Sequence, residues 1–145
     1  MAEHLLQRWG THSAFYAFEP VNEPVKSDAT LPILKDFYKQ VRKLVQRYAP
    51  QAIFVFFDSW DYNPNTWNDL FPKGDNEKVA MDHHYYHAFS EEAQNTTQWY
   101  CNAYENEAKN ALNFNFPVWF GEWSLATDAC AHWLGGFNDG NVNLT

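Results

Sequence analysis

Two glutamates stand where short apolar runs give way to polar residues. Glu23 lies in Val21-Asn22-Glu23-Pro24, after the run that begins at Ala14, and Glu122 lies in Gly121-Glu122-Trp123-Ser124, after Val118-Trp119-Phe120. Cleavage of a glycosidic bond needs two carboxyl groups of opposed role. One, protonated, gives its proton to the leaving oxygen, and the other, ionised, attacks the anomeric carbon. A gap of ~5–5.5 Å gives retention of configuration, and a wider gap that admits water gives inversion. Each glutamate alone has a plainer reading as a helix cap or a surface ion pair, since exposed Glu is common.

Two further apolar runs end in Asp58-Ser59-Trp60 and in Asp82-His83-His84-Tyr85-Tyr86. The imidazoles of His83, His84 and His87 invite a metal reading. Neighbours on a strand point to opposite faces, however, so His83 and His84 cannot share one ion, and His83 with His87 would need a helix. One imidazole orienting a carboxylate or a substrate hydroxyl is the better use.

Something must bring these strand ends together. The pattern predicts a helix over residues 3–9 closed by Gly10 in a left-handed conformation, then a strand from residue 14. Leu34, Phe37, Tyr38, Val41, Leu44, Val45 and Tyr48 recur at helical spacing, with Pro32 near the start and Pro50 beyond the end. Ile53–Phe57 reads as a second strand, followed by a polar loop with a short helix. A third strand is expected over 79–86, a polar-faced helix over 90–112, a fourth strand over 118–120, and a helix over 127–137. Strands that are apolar on both faces and alternate with helices make a parallel α/β sheet. At about 34 residues per unit, eight units need about 270 residues, near the ~250 of a (β/α)8 TIM barrel. The chain has 145, so it fits roughly half a barrel. A small open doubly wound sheet fits the order too, but no Gly-rich phosphate loop follows the first strand. In parallel α/β proteins the chemistry gathers at the carboxyl ends of the strands, where these motifs fall.

Composition bounds the partners. The net charge of −8 argues against nucleic acid or an anionic membrane, and no run is long and apolar enough to span a bilayer. Aromatics reach 19%, with 7 Trp, 8 Tyr and 12 Phe. Most should fill the core, and the others could stack on sugar faces. The first residues do not read as a signal peptide. Cys101 and Cys130 could pair with each other, stay reduced or be left without partners. The sequons at Asn95 and Asn143 are about as many as chance supplies.

Asn22-Glu23-Pro24, then His84-Tyr85-Tyr86, then Gly121-Glu122-Trp123-Ser124, in that order, resemble glycoside hydrolase family 5. The strings Asp82-His83-His84-Tyr85 and Gly121 to Leu134 resemble its exo-1,3-β-glucanase branch. The resemblance implies one partial catalytic domain over residues 1–145, a TIM-barrel fragment with roughly strands four to seven. It implies Glu23 as acid/base and Glu122 as nucleophile. Asn22 would bond the sugar 2-hydroxyl, and Tyr86, in the family's His-x-Tyr with His84, would help hold the nucleophile ionised. Trp60 and Phe89 would flank the leaving-group side, and Trp123 is as readily core as sugar-facing. The further implications are a β-glucan substrate attacked from chain ends, no cofactor or metal, a monomer when complete, and an extracellular or cell-wall location; an endo-acting family 5 β-glucanase and a non-catalytic glucan-binding remnant are the alternatives. Half a barrel leaves two sheet edges unpaired, so the fragment is expected to be inactive alone. Cysteines matching Cys101 and Cys130 would pair with residues beyond this chain.

Overall fold

The computed structural model describes residues 1–87 and 101–125. Its elements are α1 (Ala2–Trp9), β1 (Ala17–Phe18), α2 (Leu31–Tyr48), β2 (Ile53–Phe57), α3 (Pro64–Trp67), β3 (Val79–His87) and β4 (Val118–Leu125). Between β3 and β4, a π-helical segment, Asn102–Ala108, passes into an α-turn, Lys109–Ala111. The strands form one sheet in the order β1-β2-β3-β4. β1 runs parallel to β2 with Ala17 opposite Ile53, and β2 runs parallel to β3 with Phe56 opposite Met81. Helix-separated parallel neighbours in sequence order are the repeating unit of a (β/α)8 barrel, here as a partial set. The chain divides into two compact units. Residues 1–83 with 114–119 form the first, and the described part of the second comprises 84–87, 101–113 and 120–125.

The core of the first unit follows from strand alternation. Phe54 and Phe56 of β2, with Val79 and Met81 of β3, join Tyr38, Val41 and Val45 of α2 in one buried cluster. Trp67, Leu70, Phe71, Phe114 and Phe116 close it. The Phe56 ring meets Tyr38, Trp67, Phe71 and Phe116 at centroid distances of 5.2–5.9 Å. Burying a side chain of this size contributes roughly 1.5–3 kcal/mol. Val55 and Phe57, which point the other way, are buried as well. Apolar residues on both faces are what a sheet covered on both sides requires.

Helix α2 starts with Pro32 in its first turn and ends two residues before Pro50, as expected. Its one buried charge, Arg42, lies over the Phe71 ring at 4.9 Å and pairs with Asp75 at 2.8 Å. The pairing offsets the cost of taking a guanidinium out of water.

Four expectations need correction. Gly10 is not left-handed, since its φ is −58°. It is required by close approach instead: a Cβ there would sit 2.4 Å from the Leu6 carbonyl oxygen and 2.5 Å from that of Tyr48. β1 is two residues long, because Glu19-Pro20 ends the ladder early. β4 extends to Leu125, so Glu122 lies within the strand rather than just past it. The polar run Asn102–Ala108 adopts π geometry, and without an apolar stripe nothing in its sequence separates that winding from an α-helix. Residues 90–100, the expected helix over 127–137, Phe89 and Cys130 lie outside the described residues. Cys101 is exposed. Among the described residues, no helix is long and apolar enough to cross a membrane.

Candidate active site

In the second unit, Glu122 is flanked by two groups from β3. The Tyr86 hydroxyl donates to Glu122 Oε2, and His84 Nδ1 lies 3.5 Å from the same oxygen. His84 and Tyr86 are two residues apart on a strand and therefore face one side. Their rings meet edge-on, with centroids 6.4 Å apart. His84 is buried, whereas the Glu122 side chain is 43% exposed. A carboxylate fixed at one oxygen and open to solvent can attack an electrophile. Trp123 is 64% exposed in this chain. Next to this group, burial and then the charge of Glu107 raise the Tyr85 pKa.

In the first unit, Asn22 and Glu23 occupy the loop directly after β1, Asn22 exposed and Glu23 half-buried. Glu23 has a φ of 43°. A residue before proline is normally extended, and a left-handed non-glycine costs on the order of 1–3 kcal/mol, so the fold holds Glu23 against its local preference. Three residues on, Lys26 pairs with Asp61 at 3.0 Å. Asp61 also accepts from Thr66 Oγ1 at 2.9 Å, and its carbonyl accepts from Trp67 Nε1 at 2.8 Å. The loop that carries Glu23 is thus tied to the loop after β2, whose Trp67 is anchored in the core.

The two adjacent imidazoles divide as strand geometry requires. His83 Nδ1 lies 2.8 Å from Asp58 Oδ2, and the Tyr62 ring stacks on the imidazole at 4.0 Å and 13°. Asp58 is wholly buried. Its Oδ1 accepts from the backbone N–H of Trp60, whose ring is 52% exposed. Sequence reasoning placed Asp58 at a strand end but missed its partnership with His83 and Tyr62. The available signal was an Asp58 just past one apolar strand and a His83 within the next, neighbouring strand. Beneath them, Tyr38 donates to the Phe57 carbonyl at 3.0 Å. Burial, and then the charge of Glu19, push its hydroxyl well above the usual tyrosine pKa.

The chain matches the family described as Cellulase (glycosyl hydrolase family 5) over residues 2–139. Among curated proteins it is 29% identical, over 126 residues, to "Probable glucan 1,3-beta-glucosidase A" of Aspergillus terreus, covering 83% of this chain and 29% of that protein. It is likewise 29% identical over 135 residues to "Glucan 1,3-beta-glucosidase 2" of Wickerhamomyces anomalus, covering 85% and 29%. To "Glucan 1,3-beta-glucosidase" of Schwanniomyces occidentalis it is 30% identical over 129 residues, covering 84% and 29%. The chain therefore spans under a third of the length of these relatives.

Proposed function

The chain belongs to glycosyl hydrolase family 5, and from that premise we propose that it carries both catalytic carboxyl groups of a retaining β-1,3-glucan hydrolase. The observation that carries the reading is the hold on Glu122 Oε2 by the Tyr86 hydroxyl, with His84 Nδ1 3.5 Å away. Glu122 attacks the anomeric carbon as the bond to the leaving oxygen breaks, and Glu23 gives that oxygen its proton. The products of this step are a glucosyl ester on Glu122 and a shortened glucan. Water then yields a proton to Glu23 and attacks the same carbon, freeing glucose with its original configuration and restoring the Glu122 carboxylate. Asn22 bonds the 2-hydroxyl, and Trp60, Trp123 and Phe89 supply apolar faces for sugar rings. The names of the relatives support β-1,3-glucan as substrate and release of single glucose units. A wall polymer as substrate places the action outside the cell or in the wall.

The same reading gives the 145-residue chain little or no turnover by itself, since it corresponds to 29% of its relatives' length. Activity belongs to a complete barrel that contains these residues. Such a barrel, treated with 2-deoxy-2-fluoro-β-glucosyl fluoride, should carry the fluoroglucosyl group on the peptide containing Glu122. The Glu122→Gln variant should release no glucose from laminarin. Unchanged hydrolysis in that variant, or an inverted product anomer, refutes the mechanism. Glucan binding without any hydrolysis would mark a binding remnant instead.

A further inference from the structure

Two successive residues that are not glycine, Ser59 and Trp60, have φ of 56° and 61°. One such residue is uncommon, and an adjacent pair persists only when the surroundings over-determine it. Here the determinant is one carboxylate. Asp58 Oδ1 accepts the Trp60 N–H at 3.0 Å, while Oδ2 lies 2.8 Å from His83 Nδ1. The Asp58 backbone is held on both sides, its N–H donating to the Asp82 carbonyl and its own carbonyl accepting from the Asp61 N–H, each at 3.1 Å. The Tyr62 ring lies flat on the imidazole and limits its rotation. The result is a half-exposed indole at the carboxyl end of β2, its ring braced edge-on by Phe57 at 5.3 Å.

A buried aspartate that only satisfied a buried histidine would not require a left-handed turn beside it. Glycine at position 59 would remove much of the strain, yet serine stands there. We infer that Asp58 and His83 are positioning residues that hold Trp60 rigidly as a stacking platform for a glucan unit beyond the one being cleaved. The inference rests on the glycosidase reading. A fixed aromatic face lowers the ordering cost of binding a sugar, so the arrangement acts on affinity and leaves the chemistry at Glu122 alone.

The test uses the complete barrel and two substrates, a β-1,3-linked glucose trisaccharide and β-glucosyl fluoride, which has no second sugar. Asp58→Ala should raise KM for the trisaccharide about tenfold with kcat within about threefold, and leave kcat/KM for the fluoride within about threefold. Asp58→Asn, which keeps the oxygen that accepts the Trp60 N–H, should restore most of the trisaccharide KM. In a Trp60→Ala background, Asp58→Ala should add no further loss, because both act through one indole. If Asp58→Ala does not fold, His83→Gln carries the same comparison with an expected loss of about threefold. Equal loss on both substrates, or additive loss in the double variant, overturns the positioning role in favour of a structural one. A trisaccharide KM unmoved by Asp58→Ala, or by His83→Gln where it stands in, overturns it too. An unaltered barrel that hydrolyses neither substrate instead removes the glycosidase reading, and the positioning proposal with it.

Discussion

The Tyr86 hydroxyl donates to Glu122 Oε2 from a β3 position two residues beyond His84, which places phenol and imidazole on the same side of the strand. The phenol fixes one carboxylate oxygen. Tyr86→Phe removes that donor while keeping the ring. Loss of one positioned donor from an active site costs up to about 10²–10³ in rate, and under the proposed mechanism kcat of the complete barrel should fall by about 10–100-fold with KM little changed. Glucan hydrolysis kinetics check this, and a kcat within twofold of the parent would show that the hydroxyl is dispensable.

Much of this arrangement was readable in the residue order. The apolar runs before Asn22-Glu23, at the start of Val79–Tyr86 and before Gly121 marked three of the strands, and the spacing of α2 predicted its buried face. Strand alternation alone separated His83 from His84. What escaped notice depended on contacts between distant positions. Gly10 looks like a helix stop in one dimension, and only the packing of α1 against the last turn of α2 shows that a side chain would strike Tyr48. The Asp58–His83 pair needs the register of β2 and β3, which no local pattern reports. Left-handed φ at Glu23, Ser59 and Trp60 is imposed by surroundings against local preference, so propensity points the other way.

Gly10 gives a stability prediction for the chain itself. In Gly10→Ala the new methyl group meets two carbonyl oxygens of rigid helical backbone, and neither can rotate away. Overpacking of this kind costs about 1–3 kcal/mol, so the urea midpoint should drop with the slope unchanged. Gly10→Val should fall further. An alanine variant as stable as the parent would mean that α1 shifts freely on α2.

Tyr38 predicts how the fold responds to alkali. Its hydroxyl is buried against the Phe57 carbonyl and keeps its proton well past the ordinary value of 10.0, chiefly through desolvation, with the Glu19 charge adding. The unfolded chain gives up that proton near pH 10.0 while the folded chain retains it. The contribution is therefore fully present below that pH and is lost as pH climbs toward the raised value, at up to about 1.4 kcal/mol per pH unit. Tyr38→Phe should be less stable by about 1 kcal/mol at neutral pH, through the missing hydrogen bond, yet lose less on moving to about pH 11. Urea midpoints for both proteins at the two pH values test this. Parallel losses would mean that the hydroxyl titrates normally.

Glu23 offers the sharpest test of the mechanism, because an acid/base group can be bypassed in a way a structural carboxylate cannot. In Glu23→Gln of the complete barrel, the first step should collapse for laminarin, whose leaving oxygen needs a proton, and persist for a dinitrophenyl glucoside, whose leaving group does not. The glucosyl ester on Glu122 should then accumulate, since no base activates water. Azide needs no base, so adding it should speed turnover by about tenfold or more and give β-glucosyl azide with retained configuration. An α-azide would place Glu23 in the nucleophile's role. No azide effect, with equal loss on both substrates, would make the left-handed glutamate after β1 a scaffold residue and move the proton donor elsewhere.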